Sequence, residues 1–309
     1  MSDDRERELP GMIGRHPSML EVYRRVRKLA PTRLPILIVG ETGTGKELVA
    51  RAIHDLSGRG GPFVAVNCAA VPDTLAESEL FGAEAGAFTG AQRRREGVLR
   101  RASAGTLFLD EVCSMRVEVQ AKLLRAIEQS EFTRVGGHEL LRSDLRIVAA
   151  VSRPVPEVLA MRAVRPDLLH RIGRSGIALP PLRERGRDVL RLAEFFLRRG
   201  CTNGHGPKVL NAPAQRAVAQ HAWPGNVREL EGVIETLVAV VEGGAIEPYH
   251  IEAELAVFSG ERNGEQLEDV LRAHAWNITH AARHLRVPRT TLIGRMRAAG
   301  LRRPVPVRE

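Results

Sequence analysis

The strongest indication of the fold is the segment PILIVGETGTGKE, which occupies residues 35–47. Its first part, from Ile36 to Val39, is a short apolar run between a proline and a glycine, as in a buried parallel strand. A glycine-rich stretch follows, and a helical pattern begins after Lys46. Backbone N–H groups of such a loop converge on phosphate oxygens because glycines place no Cβ in the way. The segment therefore predicts a phosphate-binding loop in an α/β fold.

The loop predicts an ATP site, where Lys46 adds a full charge near the β and γ phosphates to the partial charge of a helix N-terminus. Glu47 stands where serine or threonine usually offers Mg²⁺ a hydroxyl, so the metal must rely on other ligands or on water. The predicted nucleotide-binding residues of this loop are Gly40, Glu41, Thr42, Gly43, Thr44, Gly45, Lys46 and Glu47.

Two adjacent carboxylates, Asp110 and Glu111, follow the apolar run Thr106–Leu109. We expect Asp110 to hold Mg²⁺ and orient its water, and Glu111 to polarise the attacking water. An isolated Asp-Glu pair is more often an exposed acidic turn. The position of this pair after an apolar strand, downstream of a phosphate loop, favours catalysis.

Short apolar runs alternate with helical patterns from residue 13 to residue 182, the predicted ATPase subdomain. Further strands are predicted at 63–67, 106–110, 145–151 and 176–179. This alternation predicts a parallel sheet covered by helices on both faces. Only helices are predicted for residues 183–256, a smaller helical subdomain. Residues 257–265 (VFSGERNGE) are polar and predict a linker, and residues 1–12 a short tail.

The net charge of +9 is concentrated at one end of the chain. The last 48 residues hold ten arginines against four acids, which attracts phosphate backbones. An arginine-rich genome is the alternative explanation. The apolar runs are too short for a membrane span, the N-terminus lacks an apolar signal segment, and the three cysteines fit neither disulfides nor zinc. We expect a cytoplasmic protein that does not contact a membrane.

Residues 266–309 predict a helix-turn-helix, because an apolar stripe and a second helical pattern precede a break at 286–288 and a third helix. A three-helix oligomerisation bundle with a solvated basic face is the alternative. The residues predicted to contact DNA are Arg289, Thr290, Thr291, Arg295 and Arg297.

The segments ESELFG at 77–82 and GAFTGA at 86–91 resemble the sigma-54-dependent activators, bacterial enhancer-binding proteins of the AAA+ class. The resemblance covers nearly the whole chain, including TLFLDE, LPPLRER, WPGNVREL and a Fis-type helix-turn-helix. In that family the hexapeptide forms the tip of a loop that contacts the sigma factor and moves with the nucleotide state. The implied contact residues are Gly86, Ala87, Phe88, Thr89, Gly90 and Ala91.

The resemblance also implies roles for single residues. Asn67 would couple Glu111 to the nucleotide state, and Arg228 would be the sensor arginine of the helical subdomain. Arg165 and Arg171 resemble arginines that reach the neighbouring subunit's ATP site, which implies a ring, as a hexamer.

Two positions depart from the family pattern. Ser152 replaces an asparagine, so γ-phosphate sensing is expected to be weaker or rewired. The segment 112–115 (VCSM) replaces an Ile-Gly-acidic sequence in a second loop that is expected to work with the hexapeptide.

The resemblance implies an activator that binds upstream DNA and uses ATP hydrolysis to remodel the closed complex of RNA polymerase with sigma-54. The alternative is a DNA-binding regulator that retains the AAA+ fold for assembly with little productive hydrolysis. Only about a dozen residues precede the predicted ATPase fold. We therefore expect control by a separate protein, by a paralogue in a mixed ring, or by expression level.

Overall fold

The computed structural model describes residues 8–88, 93–201, 206–259, 263–284, 289–298 and 301. The chain divides into two compact units, Met1–Arg185 and Gly186–Glu309. Within the described ranges, none of the helices combines the length and the apolar character that crossing a bilayer requires.

The first unit alternates strands and helices, as the sequence predicts. Its strands are β1 Ile36–Val39, β2 Phe63–Asn67, β3 Gly82–Ala83, β4 Arg95–Glu96, β5 Thr106–Asp110, β6 Glu131–Phe132, β7 Leu141–Arg142, β8 Arg146–Val151 and β9 Ser175–Ala178. Its helices are α1 Pro17–Leu29, α2 Lys46–Asp55, α3 Asp73–Phe81, α4 Val98–Arg101, α5 Val117–Gln129, α6 Val155–Ala160 and α7 Pro166–Ile172.

Five of these strands form one parallel sheet in the order β2-β5-β8-β1-β9. The predicted α/β fold with a parallel sheet is therefore confirmed. The last two predicted strands each differ by about one residue from the observed ones, at 146–151 and 175–178. Leu179 lies beyond β9, but its N–H still donates to the Val39 carbonyl at 2.7 Å.

The sheet separates two apolar cores, which explains why its strands read as continuous apolar runs. Ile36 and Ile38 pack with α1 and α2 on one face, whereas Leu37 lies in the core of the other face. In the same way, Phe108 lies in the first of these cores and its neighbour Leu107 lies in the other. A strand buried on both faces has no polar side to alternate with the apolar one. The ends of these strands are therefore held rigidly at both edges of the sheet.

The second unit is mostly helical. Its helices are α8 Asp188–Cys201, α9 Ala212–Gln220, α10 Asn226–Val240, α11 Pro248–Ser259, α12 Asn263–Ala273, α13 Ile278–His284 and α14 Arg289–Ala298. It also contains a parallel pair of strands, β10 Val209–Leu210 and β11 Ala245–Ile246. The prediction of helices alone for 183–256 is wrong at this pair, because two-residue strands leave no periodic pattern in the sequence.

The predicted linker at 257–265 is helical wherever it is described. Residues 257–259 end α11 and residues 263–265 begin α12, while 260–262 lie outside the described residues. The apolar pair Val257-Phe258 continues the pattern of α11, so polar composition alone misjudged this stretch. Helices α12 to α14 enclose a small apolar core formed by Leu267, Leu271, Ala281, Ala282, Leu292 and Met296.

Candidate functional site

The predicted nucleotide site lies at the carboxyl ends of three neighbouring strands. The loop 40–45 follows β1, Asp110 ends β5 with Glu111 directly after it, and Ser152 follows β8. Because β8 lies between β5 and β1, these three chain segments meet at one edge of the sheet. Ligands of open parallel sheets bind at this edge.

The backbone of the loop has the conformation that a phosphate-binding loop requires. Gly43 and Gly45 have φ values of +78° and +99°, a region that side chains disfavour. A Cβ added to Gly40 would lie 2.9 Å from the Cβ of Leu179. The hydroxyl of the buried Thr44 donates to the Glu41 carbonyl at 2.7 Å and closes the turn. The loop therefore leads into the N-terminus of α2, where free N–H groups attract anions.

Lys46 is the cation of this site, and only 7% of its side chain is exposed. Its Nζ donates to the carbonyls of Gly40 at 2.9 Å and Glu41 at 3.4 Å. The same ammonium lies 3.3 Å from Oε1 of Glu111. A phosphate ligand at Lys46 would therefore compete directly with the carboxylate of Glu111.

Glu47 points its side chain away from the pair of Lys46 and Glu111. The Glu47 carboxylate is 59% exposed and lies 3.5 Å from Nη2 of Arg51, one turn along α2. Thr42 is exposed on the loop. We infer that residue 47 offers phosphate its backbone N–H in the first turn of α2, rather than a side-chain ligand to a metal.

Two arginines for which the sequence predicted no role hold the phosphate loop in place from neighbouring residues. Arg183 donates to both carboxylate oxygens of Glu41, at 2.8 and 2.6 Å. Arg185 is 2% exposed, and its Nη2 donates to the carbonyls of Thr44 at 2.9 Å and Pro180 at 2.8 Å. The segment LPPLRER resembles the family, but its sequence does not reveal contacts with a loop about 140 residues earlier.

Asp110 is the carboxylate that the sequence predicts as a ligand of magnesium. Its Oδ1 accepts the N–H of Glu111 at 3.1 Å. Burial raises the pKa of Asp110, while the charge of Lys46 opposes that rise. Among the described residues there is no group of three or more Asp, Glu, His or Cys side chains that could enclose a metal. A single carboxylate fits Mg²⁺, which keeps several of its own waters.

Glu111 is held in an uncommon backbone conformation, with φ and ψ of 51° and 52°. Its Oε1 faces Lys46, and its Oε2 accepts the hydroxyl of Ser152 at 3.0 Å. The following residues form a 3-10 turn over Val112–Ser114, in which Val112 is fully buried. Met115 is buried as well, so both ends of the segment 112–115 are anchored in the core of the first unit, while Ser114 is exposed.

Asn67 lies beside this cluster without joining it. It pairs with Asp110 in the register of β2 and β5. Its side-chain oxygen accepts the N–H of Ala69 at 3.0 Å, so it closes a local turn, and the residue is exposed. The coupling of Asn67 to Glu111 remains a prediction. The two oxygens of Glu111 are engaged by Lys46 and Ser152 instead.

The two predicted trans-acting arginines lie away from the phosphate loop. Arg165 precedes α7 and makes two hydrogen bonds to the carboxylate of Asp167, at 3.1 and 2.8 Å. Arg171, in the last turn of α7, lines a cavity with Pro35 and Arg146 at the amino ends of β1 and β8. That edge is opposite the one that carries Lys46. The Nε of Arg171 is buried and has no hydrogen-bond partner in the described part of the chain.

Arg228 belongs to the second unit, where it is the third residue of α10 and is exposed. Its predicted role as a sensor of nucleotide remains a prediction.

The hexapeptide loop lies between β3 and β4, which form a small antiparallel sheet. This sheet is hydrogen-bonded to a second hairpin. The described part of the loop ends at Phe88, which is 39% exposed; Thr89, Gly90 and Ala91 lie outside the described residues. Gly86 has a φ of +84°. The N–H of Glu84 donates to the Val135 carbonyl at 3.1 Å.

The hairpin formed by β6, β7 and the residues between them supports this loop from one side. The N–H of Val135 donates to the Gly82 carbonyl at 2.9 Å, and the buried Arg134 bonds the carboxylates of Glu84 and Glu139, both at 2.8 Å. A Cβ added to Gly136 would lie 2.7 Å from the Cβ of Ala87. The sequence suggested 112–115 as the loop that works with the hexapeptide. The hairpin at 131–142 contacts the described part of the hexapeptide loop, whereas the segment 112–115 is anchored in the core by Val112 and Met115 and exposes Ser114.

The predicted DNA-contacting residues all lie on α14. Arg289 is its exposed first residue. Thr290, Thr291, Arg295 and Arg297 follow on the same helix, but their side chains lie outside the described residues, as do residues 285–288 with Arg286. The small residues Ala281 and Ala282 are buried where α13 meets its neighbours, as the sequence predicts.

Three family models match the chain, and the second and third of them overlap. The sigma-54 interaction domain matches residues 12–178, which is more than half of the chain. The AAA+ ATPase lid domain matches residues 183–276, and the Fis family of bacterial regulatory proteins matches residues 261–298.

Individual proteins show the same likeness. The chain is 47% identical over 252 residues to the DNA-binding transcriptional regulator NtrC of Azospirillum brasilense, a match that covers 81% of this chain and 52% of that protein. It is 40% identical over 306 residues to the C4-dicarboxylate transport transcriptional regulatory protein DctD of Pseudomonas aeruginosa, covering 95% and 65% of the two chains. The chain thus spans about half the length of most of the curated relatives that it matches.

A solved structure resembles the chain over nearly its full length. The crystal structure of NtrX from Brucella abortus in complex with ATP has a TM-score of 0.72 at 32% identity, and the match covers 97% of this chain and 71% of that one.

Proposed function

Since this chain belongs to the sigma-54-dependent transcriptional activators of the AAA+ class, we propose that it binds DNA upstream of a promoter and assembles into a ring. ATP hydrolysis then remodels the closed complex of RNA polymerase with sigma-54. One observation supports this proposal most directly. The cluster of Lys46, Asp110 and Glu111 lies in the same compact unit as the stem of the hexapeptide loop. The proposed nucleotide site on the five-stranded sheet and the proposed partner loop on the small β3-β4 sheet thus belong to one compact unit.

ATP would bind at the loop 40–46, with its phosphates against the backbone N–H groups and Lys46. A Mg²⁺ ion, held by Asp110, would supply charge neutralisation for the phosphates and keep bound waters in place. Glu111 would then accept a proton from the attacking water, because its carboxylate lies at the same edge of the sheet. Lys46 would leave Glu111 for the phosphates, since the two acceptors compete for one ammonium.

The ring is needed for the proposed roles of Arg165 and Arg171. Arg165 directly precedes α7, and Arg171 lies in the last turn of α7, at the edge of the sheet opposite its own phosphate loop. An arginine in that position serves a neighbouring subunit's ATP more readily than its own. We propose a hexamer, made of this chain alone or with a paralogue. We further propose that Asn67 and Arg228 respond to the nucleotide.

We assign the sigma-54 contact to residues 86–91 and the upstream DNA contact to the helix-turn-helix. Phe88 is an exposed aromatic residue on a loop that glycines make deformable. Arg289 begins α14 in the most basic part of the chain. We propose these boundaries: ATPase subdomain 13–182, helical lid 183–256, a connecting segment at 257–265 and the DNA-binding unit 266–309.

One experiment separates this function from its alternative, a regulator that keeps the fold but hydrolyses little ATP. The full chain is assayed for ATPase activity and for transcription with sigma-54 polymerase, beside Thr89→Ala and Glu111→Gln. We expect Thr89→Ala to keep ATPase activity and lose activation, and Glu111→Gln to lose both. Absence of ATPase activity at all protein concentrations, with unchanged transcription for Glu111→Gln, would establish the alternative.

A further inference from the structure

We propose that Ser152 is a positioning residue that holds the catalytic carboxylate of Glu111 and gives it up when the γ-phosphate of ATP is bound. The single hydroxyl proton of Ser152 would serve one of these two acceptors at a time. This inference rests on the proposed ATPase function, and it adds control of Glu111 by Ser152 to the response proposed for Asn67.

The contacts of Glu111 are the first line of support. Its side chain is 22% exposed, and each of its carboxylate oxygens has a donor. Lys46 Nζ lies 3.3 Å from Oε1, and the Ser152 hydroxyl lies 3.0 Å from Oε2. A carboxylate with a donor bonded to each oxygen is fixed in place and is not free to turn toward an attacking water. In this arrangement Glu111 is held back from catalysis.

The backbone fixes Ser152 next to the phosphate loop as well. Val151 pairs with Val39 in the register of β8 and β1. The Val151 carbonyl accepts the N–H of Gly40, the first residue of the loop, at 3.1 Å. Ser152 follows directly, so a hydrogen-bonded strand pair holds it beside the loop that binds phosphate. Its hydroxyl is bonded to one anionic acceptor, Glu111, and the residue lies beside the loop where ATP would supply a second.

The number of protons on each donor makes the choice exclusive. The ammonium of Lys46 has three, and its observed acceptors are the Gly40 carbonyl, the Glu41 carbonyl and Glu111. The hydroxyl of Ser152 has one, and Glu111 accepts it. An asparagine in this place would have two N–H protons and could hold both anions at once. With serine, every bond made to γ-phosphate is a bond lost by Glu111.

ATP therefore has an effect on Glu111 that ADP lacks. A γ-phosphate that draws Lys46 and Ser152 toward itself removes both donors from the carboxylate, which is then free to accept a proton from water. With ADP bound, Ser152 keeps its bond to Oε2 of Glu111.

The test is a double-mutant cycle on nucleotide binding by the full chain. Dissociation constants are measured by calorimetry for Mg-ADP and for a non-hydrolysable ATP analogue, and their ratio gives the preference for γ-phosphate. The four proteins are the wild type, Ser152→Ala, Glu111→Ala and the double variant. Glu111→Gly is a second background, because glycine adopts the φ of +51° at this position without strain. Ser57→Ala is the matched control, since this hydroxyl donates to the His54 carbonyl outside the site.

We expect Ser152→Ala to lower the preference by less than about threefold when Glu111 is present, because the hydroxyl only exchanges one anionic acceptor for another. Without Glu111, the same change should lower it about tenfold, the usual value of a hydrogen bond to a charged group. Ser152→Thr, which keeps the hydroxyl, should behave as the wild type.

Equal effects in both backgrounds would overturn the proposal, because Ser152 would then contact γ-phosphate independently of Glu111. No effect in either background would also overturn it. ATP hydrolysis is measured on the same wild-type preparation. If the wild type hydrolyses ATP but the effects of the Ser152 and Glu111 substitutions on binding are additive, only the role of Ser152 is overturned. If the expected coupling is found but the wild type does not hydrolyse ATP, only the proposed function is overturned.

Discussion

The ammonium of Lys46 lies 3.3 Å from the carboxylate of Glu111, and this ion pair joins the loop after β1 to the end of β5. The side chains are 7% and 22% exposed, so the pair is largely shielded from water. Removal of one partner leaves the other charge poorly solvated. The two residues are therefore expected to respond differently to substitution, because only Lys46 is needed to bind phosphate.

Lys46→Ala should abolish nucleotide binding, weakening it by at least about 100-fold, since a desolvated cation beside phosphate contributes several kcal/mol. Glu111→Gln should bind ATP within about threefold of the wild type, because it also removes a competitor for Lys46, and should lose hydrolysis. Calorimetry and phosphate release measure the two effects. Tight ATP binding by Lys46→Ala would show that the loop does not hold the phosphates.

The ionised carboxylate of Asp110 should be needed for activity and should lower the stability of the folded chain. Burial raises its pKa above the ordinary 3.8, so the folded chain favours the protonated form. Its stabilising contribution is complete below pH 3.8 and is lost as the pH rises through the raised pKa. At neutral pH the folded chain therefore contains an ionised carboxylate that is costly to bury.

We expect Asp110→Asn to raise the melting temperature by about 2–5 °C at pH 7.5 in EDTA, and to abolish hydrolysis. The gain should shrink as the pH approaches 4, where the wild-type carboxyl is protonated. Asp144→Asn is the control, because this carboxylate is 72% exposed and pairs with Arg59 at the surface. A lower melting temperature for Asp110→Asn at pH 7.5 would contradict this account.

The sequence predicted what local patterns encode. The strand 36–39, the loop that ends at Lys46 and the pair Asp110–Glu111 are each read from neighbouring residues, and each is where it was expected. The parallel order of the strands places them together, and alternation of strands and helices is enough to predict such a sheet.

Contacts between distant segments could not be read in this way. Arg185 and Thr44 are 141 positions apart, and Ser152 and Glu111 are 41 apart. Such pairs depend on which strand lies next to which, and composition and spacing do not contain that information. The hairpin 131–142 beside the hexapeptide loop escaped prediction for the same reason, because its strands are only two residues long.

Arg185 should be essential to the phosphate loop, whereas its neighbour Arg183 should not. Arg185 is 2% exposed and donates to the Thr44 and Pro180 carbonyls, so Arg185→Ala leaves buried acceptors without donors. We expect a loss of about 2–4 kcal/mol in the free energy of unfolding and weaker ATP binding. Arg183→Ala breaks a pair whose side chains are 45% and 39% exposed, and should cost less than about 1 kcal/mol. Urea unfolding measures both, and equal losses would refute the distinction.

DNA binding should depend on the C-terminal unit and on salt. Removal of residues 262–309 should eliminate site-selective binding, and Arg289→Ala should reduce the slope of log affinity against log salt by about 1 if this exposed arginine contacts a phosphate. Binding is measured at several salt concentrations on specific and unrelated duplexes. Selective binding that survives the truncation would place the DNA contact elsewhere in the chain.

The contact between Gly136 and Ala87 should link the hairpin 131–142 to activation rather than to hydrolysis. Gly136 has a φ of +71°, and a Cβ there would lie 2.7 Å from the Cβ of Ala87 in the hexapeptide. Gly136→Ala must therefore displace the loop or the hairpin. Because both lie outside the cluster of Lys46, Asp110 and Glu111, we expect ATPase activity within about twofold of the wild type and at least tenfold weaker activation of sigma-54 transcription.

Gly58→Ala provides the matched control, since Gly58 has a φ of +69° with nothing within 4 Å of the added Cβ. Both variants carry the same backbone strain, about 1 kcal/mol, but only Gly136→Ala meets the loop. Equal loss of activation in the two variants would attribute the effect to strain, and equal loss of ATPase activity and activation in Gly136→Ala would mean that the hairpin supports the nucleotide site.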